Sequence, residues 1–147
     1  MTSLLNETLE EDFQQIFKNE FAGVLINTDL KIAICETRKD YIPIEDFKEL
    51  FQSMTSSLID HKIEKFIFDK RELRAFHQPS MEWYFIHWKQ ELFQHGLKTH
   101  RKILPKEIWF RKCVEAGRAE ILKNQKNTVL DKLDIKYAES VKEAMAF

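Results

Sequence analysis

The chain has 147 residues, with 23 Lys plus Arg against 24 Asp plus Glu, so its formal charge is -1 with the histidines neutral. Hydrophobic residues make up 44% and aromatic residues 12%, with only three Gly and three Pro, which excludes disorder, collagen and low-complexity linkers and predicts one packed domain. Near-balanced charge gives no whole-chain case for nucleic acid or an anionic membrane surface as a partner.

Cys35 and Cys113 lie far apart and form no Cys-x-x-Cys pair, so neither a disulfide framework nor a zinc knuckle is signalled. Glu7 and Glu10 stand where a signal peptide would be basic and apolar, and the chain has no apolar run of about 18 residues. The expectation is a reduced, cytoplasmic protein without membrane insertion.

Residues 1–20 form a lead segment with two open readings: Leu5, Leu9, Phe13 and Ile16 fit a helix, whereas Phe13 to Phe17 equally fits a strand. The domain proper is expected over 21–147. Two apolar runs, Phe21 to Ile26 and Leu30 to Cys35, flank Asn27-Thr28-Asp29, a turn-forming triplet, and predict a β-hairpin. In its second arm Leu30, Ile32 and Ile34 share the more apolar face, which predicts a sheet covered mainly on one side. From Pro43 the period changes: Phe47, Leu50, Phe51, Met54 and Leu58 follow helical spacing, with Glu45 and Asp46 at the positive helix end, so 43–60 reads as a helix.

Phe66-Ile67-Phe68 within Glu64 to Asp69 reads as a strand. A second helix follows Pro79, with Met81, Phe85, Trp88 and Leu92 as its stripe and Gly96 as its stop. Thr99 to Leu104 is a strand whose His100, Arg101 and Lys102 suggest an edge position. A helix over Glu107 to Lys123, a strand over Leu133 to Tyr137 and a helix over Glu139 to Phe147 close the chain. Strands alternating with helices imply crossovers, hence an α/β domain with a mixed, mostly parallel sheet that starts with a hairpin and carries its helices mainly on one face.

This order resembles the STAS superfamily (sulfate transporter and anti-sigma factor antagonist domains), in particular its bacterial SpoIIAA-like branch, also labelled STAS/SEC14-like. The resemblance rests on Val24 to Glu36, on Lys65-Phe66-Ile67-Phe68-Asp69-Lys70-Arg71, on Ile103-Leu104-Pro105 and on Leu133 to Ala146. It implies a regulatory module in which a Ser or Thr before the next helix is phosphorylated by a partner kinase. The matching residue is Ser80, although Asp69 is followed by a longer segment than the family's Asp-Ser-Ser-Gly type of turn.

Ser80 also fits a first-turn serine that only caps the helix. Lys70, Arg71, Arg74 and His77 gather positive charge at the carboxyl end of a strand, where open α/β sheets bind ligands, with Asp69 and Glu72 as neutralising neighbours. Phe85 and Trp88 are assigned to the core, and Trp83, Tyr84 and His87 to contact with a ligand or partner. The five histidines show no i, i+4 pair, both thiols read as small hydrophobes, and no phosphate loop or nucleophile elbow occurs, so neither a metal nor a cofactor is expected. Lys98 to Lys126 holds nine basic residues against three acids, read as a solvated face.

Three function classes stay open. The first is a non-enzymatic regulatory or protein-interaction module that uses Asp69, Arg71, Arg74, His77, Trp83 and Tyr84, with an unknown protein or a second copy as partner. The second is a carrier that encloses a small apolar or lipid-like ligand in an aromatic pocket. The third, an enzyme, has only His77 with Asp69 and Glu72 to offer.

Overall fold

The structure is a computed structural model that describes residues 13–75, 77–124 and 132–147. Leu5 and Leu9 of the lead segment and Lys126 of the basic run lie outside the described residues. One six-stranded sheet runs in chain order: β1 (Gln14–Lys18), β2 (Ala22–Asn27), β3 (Ile32–Thr37), β4 (Lys65–Asp69), β5 (Thr99–Ile103) and β6 (Asp134–Tyr137). The first two ladders are antiparallel and the other three parallel. The open choice in the lead segment resolves as a strand, so the sheet starts with a three-stranded meander and not with the hairpin alone. Asn19 makes the first turn, its side chain accepting from the N–H groups of Phe21 and Ala22. Asn27 makes the second, accepting from Leu30.

The crossovers carry α1 (Ile44–Asp60), then α2 (Gln78–Trp83), a π-helical turn (Tyr84–Trp88) and α3 (Lys89–Gln94) in one continuous run, and α4 (Ile108–Asn124). A short helix, α5 (Val141–Ala146), comes after β6, capped by the Ser140 hydroxyl accepting from Glu143 N–H. Helices α1 to α4 bury their stripes on one sheet face against Ala33, Cys35, Phe66 and Phe68. α5 covers the other face, where Val141 and Ala144 pack on Ile34, Ile67 and Ile103. The strongly apolar arm face of β3, Ile32 and Ile34, belongs to this second layer, so the sheet is covered on both sides and the larger core meets the smaller side chains of β3.

Both helix stops follow from backbone geometry. Gly96 sits at φ 109, with its N–H on Phe93 O and that of Leu97 on Leu92 O, the six-to-one bond of a Schellman motif. α1 ends in the same way at Lys62, a non-glycine residue at φ 54, with Ile63 N–H on Leu58 O.

β5 is not an edge strand. It lies between β4 and β6, and His100, Arg101 and Lys102 are all buried. Each polar side chain has its own reason. Arg101 turns to the α5 side, where it donates to the carbonyls of Asp134 and Phe147, pairs with the Asp134 carboxylate at 3.0 Å and stands under the Phe147 ring. His100 and Lys102 turn into the main core.

Candidate ligand site at the carboxyl edge of the sheet

Strands β3, β4, β5 and β6 share a direction, so their carboxyl ends open on one edge, the place where open α/β sheets hold ligands. The loop after β3, the loop after β4 and the start of α2 form a cleft there that is open on one side, with about 50 Å³ of it enclosed. Its walls are mainly apolar, from Ile42, Phe47, Phe68, Met81, Tyr84 and Phe110, with Tyr41 half-exposed beside them. Lys70, His77 and Ser80 are its polar members. Lys70 N–H continues the ladder onto Ile103 O at 2.8 Å, which fixes the chain so that the side chain follows Phe66 and Phe68 onto the main face. Its ammonium stands 4.9 Å from the Phe68 ring centre. Burial pulls this amine down from 10.5 to about 8, because apolar surroundings penalise the charged form.

The residues singled out from the sequence divide into three groups. His77, Ser80 and Tyr84 meet in the cleft. His77 is the residue before α2, with its Nδ1 2.9 Å from Ser80 Oγ, and Pro79 lies within the first turn. Ser80 is buried, so its hydroxyl serves this local bond and a kinase would reach it only after the helix start opened. Asp69, Arg71 and Arg74 are engaged elsewhere. Asp69 lies on the Ile67 side of β4 and accepts both a 2.9 Å bond from Arg71 Nε and a 2.7 Å bond from Arg71 Nη2. Arg74 ties loops together: its N–H donates to Asp40 O, its Nη1 to Arg71 O and Leu73 O, and its Nε pairs with Glu107 at 3.2 Å. Trp83 forms the third group. It is half-buried against Phe47 and Phe51 and borders a separate surface hollow with Gln52 and His87.

Tyr84 corrects the assignment of aromatic roles. It is only 1% exposed, it packs edge-on against Phe47 and Phe68, and its hydroxyl is hydrogen-bonded to His100 Nδ1 at 3.1 Å. It belongs to the core with Phe85 and Trp88 and presents one surface to the cleft. Burial raises its phenol well above 10.0 and lowers His100 well below 6.5, so both groups are held neutral.

Sequence reasoning missed Lys89 and Lys102. Both ammoniums are fully buried and, among the described residues, neither has a hydrogen-bond partner. Lys102 was legible only as one of three polar residues in β5, and Lys89 only as a residue next to the aromatic stripe. Burial is the first cause that drives both amines far below 10.5, followed for Lys89 by Lys102, Lys70 and Arg118 and for Lys102 by Lys70 and Arg118. Among the described residues no three His, Cys, Asp or Glu side chains assemble as metal ligands, and no helix is long and apolar enough to cross a membrane. Set beside known proteins, the chain matches no family description, no curated protein and no solved structure.

Proposed function

We propose that the chain is a non-enzymatic binding domain of STAS-like type that takes a small, largely apolar ligand in the cleft at the carboxyl edge of its sheet. The cleft itself carries this reading: apolar walls converge on few polar groups at a place where the topology leaves the strand ends uncovered. The hairpin followed by alternating helices and strands supports the family likeness. The two unpaired cysteines fit a reduced, cytoplasmic setting.

Chemistry is a poorer fit to the same residues. His77 and Ser80 bond each other, while Asp69 is held by Arg71 on the other side of the sheet. A binding role asks only for shape and for a group that orients the ligand, which the cleft and Lys70 supply.

Saturable binding of the neutral fluorophore N-phenyl-1-naphthylamine tests the reading. Wild type is expected to bind it, and Ala75→Trp, which fills the lining without touching the sheet, is expected to lose binding with unchanged circular dichroism. A wild-type protein that shows no saturable binding overturns the proposal.

A protein partner is the second reading, favoured by Ile108 at 70% and Trp109 at 48% exposure on the first turn of α4, beside the cleft residue Phe110. It expects Trp109→Lys to weaken self-association or partner capture while fluorophore binding persists.

A further inference from the structure

Three lysines from three different parts of the chain enter the main core, and among the described residues no carboxylate pairs with them. Lys70 comes directly after β4, Lys102 lies on β5 and Lys89 opens α3. The Nζ atoms of Lys89 and Lys102 stand 4.0 and 4.4 Å from the centre of the same ring, Phe85. Lys102 is the register partner of Phe68, the ring under Lys70. Lys89 also lies 4.7 Å from the centre of Tyr84, a residue of the cleft lining.

The charges acting on Lys89 are all positive, from Lys102, Lys70 and Arg118, and those acting on Lys102 are Lys70 and Arg118. Aromatic faces return part of the hydration an ammonium loses, but a ring is no substitute for an anion. Sequences drift away from such arrangements because an apolar side chain of the same length packs as well at lower cost. Three amines in one core, two of them with no hydrogen bond among the described residues, are understood if a bound anion is the missing partner.

We infer that Lys70, on the cleft wall, and Lys89 and Lys102, buried beside Tyr84 and Phe85, together form an anion site that receives the carboxylate or phosphate head of a ligand whose apolar part lies in the cleft. This rests on the cleft reading above and adds the ligand's charge to it. Lys70 lines the opening and makes the first contact. The flexible stems of Lys89 and Lys102 bring further donors to the same anion, and among the described residues neither ammonium has a hydrogen bond to break. Binding would also take up protons, because an anion among the amines restores their charged form.

The test compares decanoate, decyl phosphate, decanol and inorganic phosphate, read by displacement of the neutral fluorophore and by the thermal midpoint at pH 7. At least one of the two acids is expected to bind about tenfold tighter than decanol, the gain of one charge-assisted contact. Whichever acid wins identifies the head group. In Lys89→Met and Lys102→Met that preference is expected to fall to near parity, while the thermal midpoint of the empty protein stays level or rises. The second measurement separates loss of a site from loss of the fold. Decanol and both acids binding wild type equally would overturn the anion site and leave the apolar cleft standing. If the fluorophore does not bind but inorganic phosphate raises the wild-type midpoint and not that of the variants, the cleft fails and the anion site stands. If no anion moves the midpoint or displaces the fluorophore, the anion site is overturned.

Discussion

The N–H of Lys89 donates to the carbonyl of Tyr84 across a π-helical turn, and the ammonium of the same lysine stands 4.7 Å from the centre of that tyrosine's ring. The bond explains the contact. An i to i+5 bond inserts one residue into the helical period and rotates the next turn of the helix inward. Lys89, which would flank the stripe of Met81, Phe85, Trp88 and Leu92 in a regular helix, thereby becomes a fully buried core residue. A structural irregularity thus delivers a lysine into the core beside Tyr84, a residue of the cleft lining.

Tyr84→Phe keeps the ring and deletes the hydroxyl that meets His100 at 3.1 Å. With His100 buried and left without that bond, the variant is expected to lose about 1–3 kcal/mol in urea unfolding. Tyr84→Phe that is as stable as wild type would show that the bond contributes nothing net.

Acid should unfold the protein through His100. Its folded value is lowered below 6.5, first by burial and then by Lys89, Lys102, Lys70 and Arg101. The unfolded chain therefore takes up a proton as pH falls through 6.5 while the native state does not, and stability declines on the acid side of that value. Chemical unfolding at pH 7.5, 6.5 and 5.5 measures the decline, and His100→Gln is expected to flatten it.

On the alkaline side Lys70 acts with a slope of the same sign, stability again rising with pH. Its folded value of about 8 lies below its ordinary 10.5, so the cost of its charge is fully present below pH 8 and is relieved as pH rises toward 10.5. The relief is on the order of 3 kcal/mol. Cys35 and Tyr84 are held neutral by burial and cost stability from about pH 9 upward, so the comparison belongs between pH 7 and 9. Lys70→Met is expected to exceed wild type in stability at pH 7 and to rise less steeply than wild type toward pH 9, the remaining rise coming from Lys89 and Lys102, whose amines are also lowered.

Lys62 holds φ 54 at the end of α1, in a region that costs a residue with a Cβ about 1 kcal/mol. Its side chain is exposed, so nothing is lost with it. Lys62→Gly is expected to gain up to about 1 kcal/mol, less the entropy of the more flexible unfolded chain. Differential scanning calorimetry gives the sign; a lower midpoint would mean that the entropy term wins.

Alternating and helical periods in the sequence located β2, β3, α1, β4 and α4, because each buries a regular stripe. β5 was placed but misassigned to an edge, since Thr-His-Arg-Lys-Ile has no apolar alternation to mark it as interior. The groups that make those side chains tolerable, Tyr84, Asp134 and Phe147, come from 16 to 46 residues away and are invisible in a local window. The same limit applies to the candidate site. The sequence suggests one surface of Asp69, Arg71, Arg74, His77, Ser80, Trp83 and Tyr84, of which only His77, Ser80 and Tyr84 meet in the cleft, whereas the burial of Lys70, Lys89 and Lys102 depends on how three distant elements pack. Asp69, Arg71 and Arg74 are legible as charge but not as loop ties that reach Asp40 and Glu107.

Strand order that follows chain order has a bearing on biosynthesis. A nascent polypeptide can lay each new strand against the one just completed, so the meander and its crossovers can assemble while translation proceeds. The layer of Leu25, Ile34, Ile67 and Ile103 stays bare until Val141 and Ala144 arrive with α5. Growing chains halted before that helix would be prone to clump through this uncovered surface, and the emergence of α5 from the ribosome is the moment when the hazard ends.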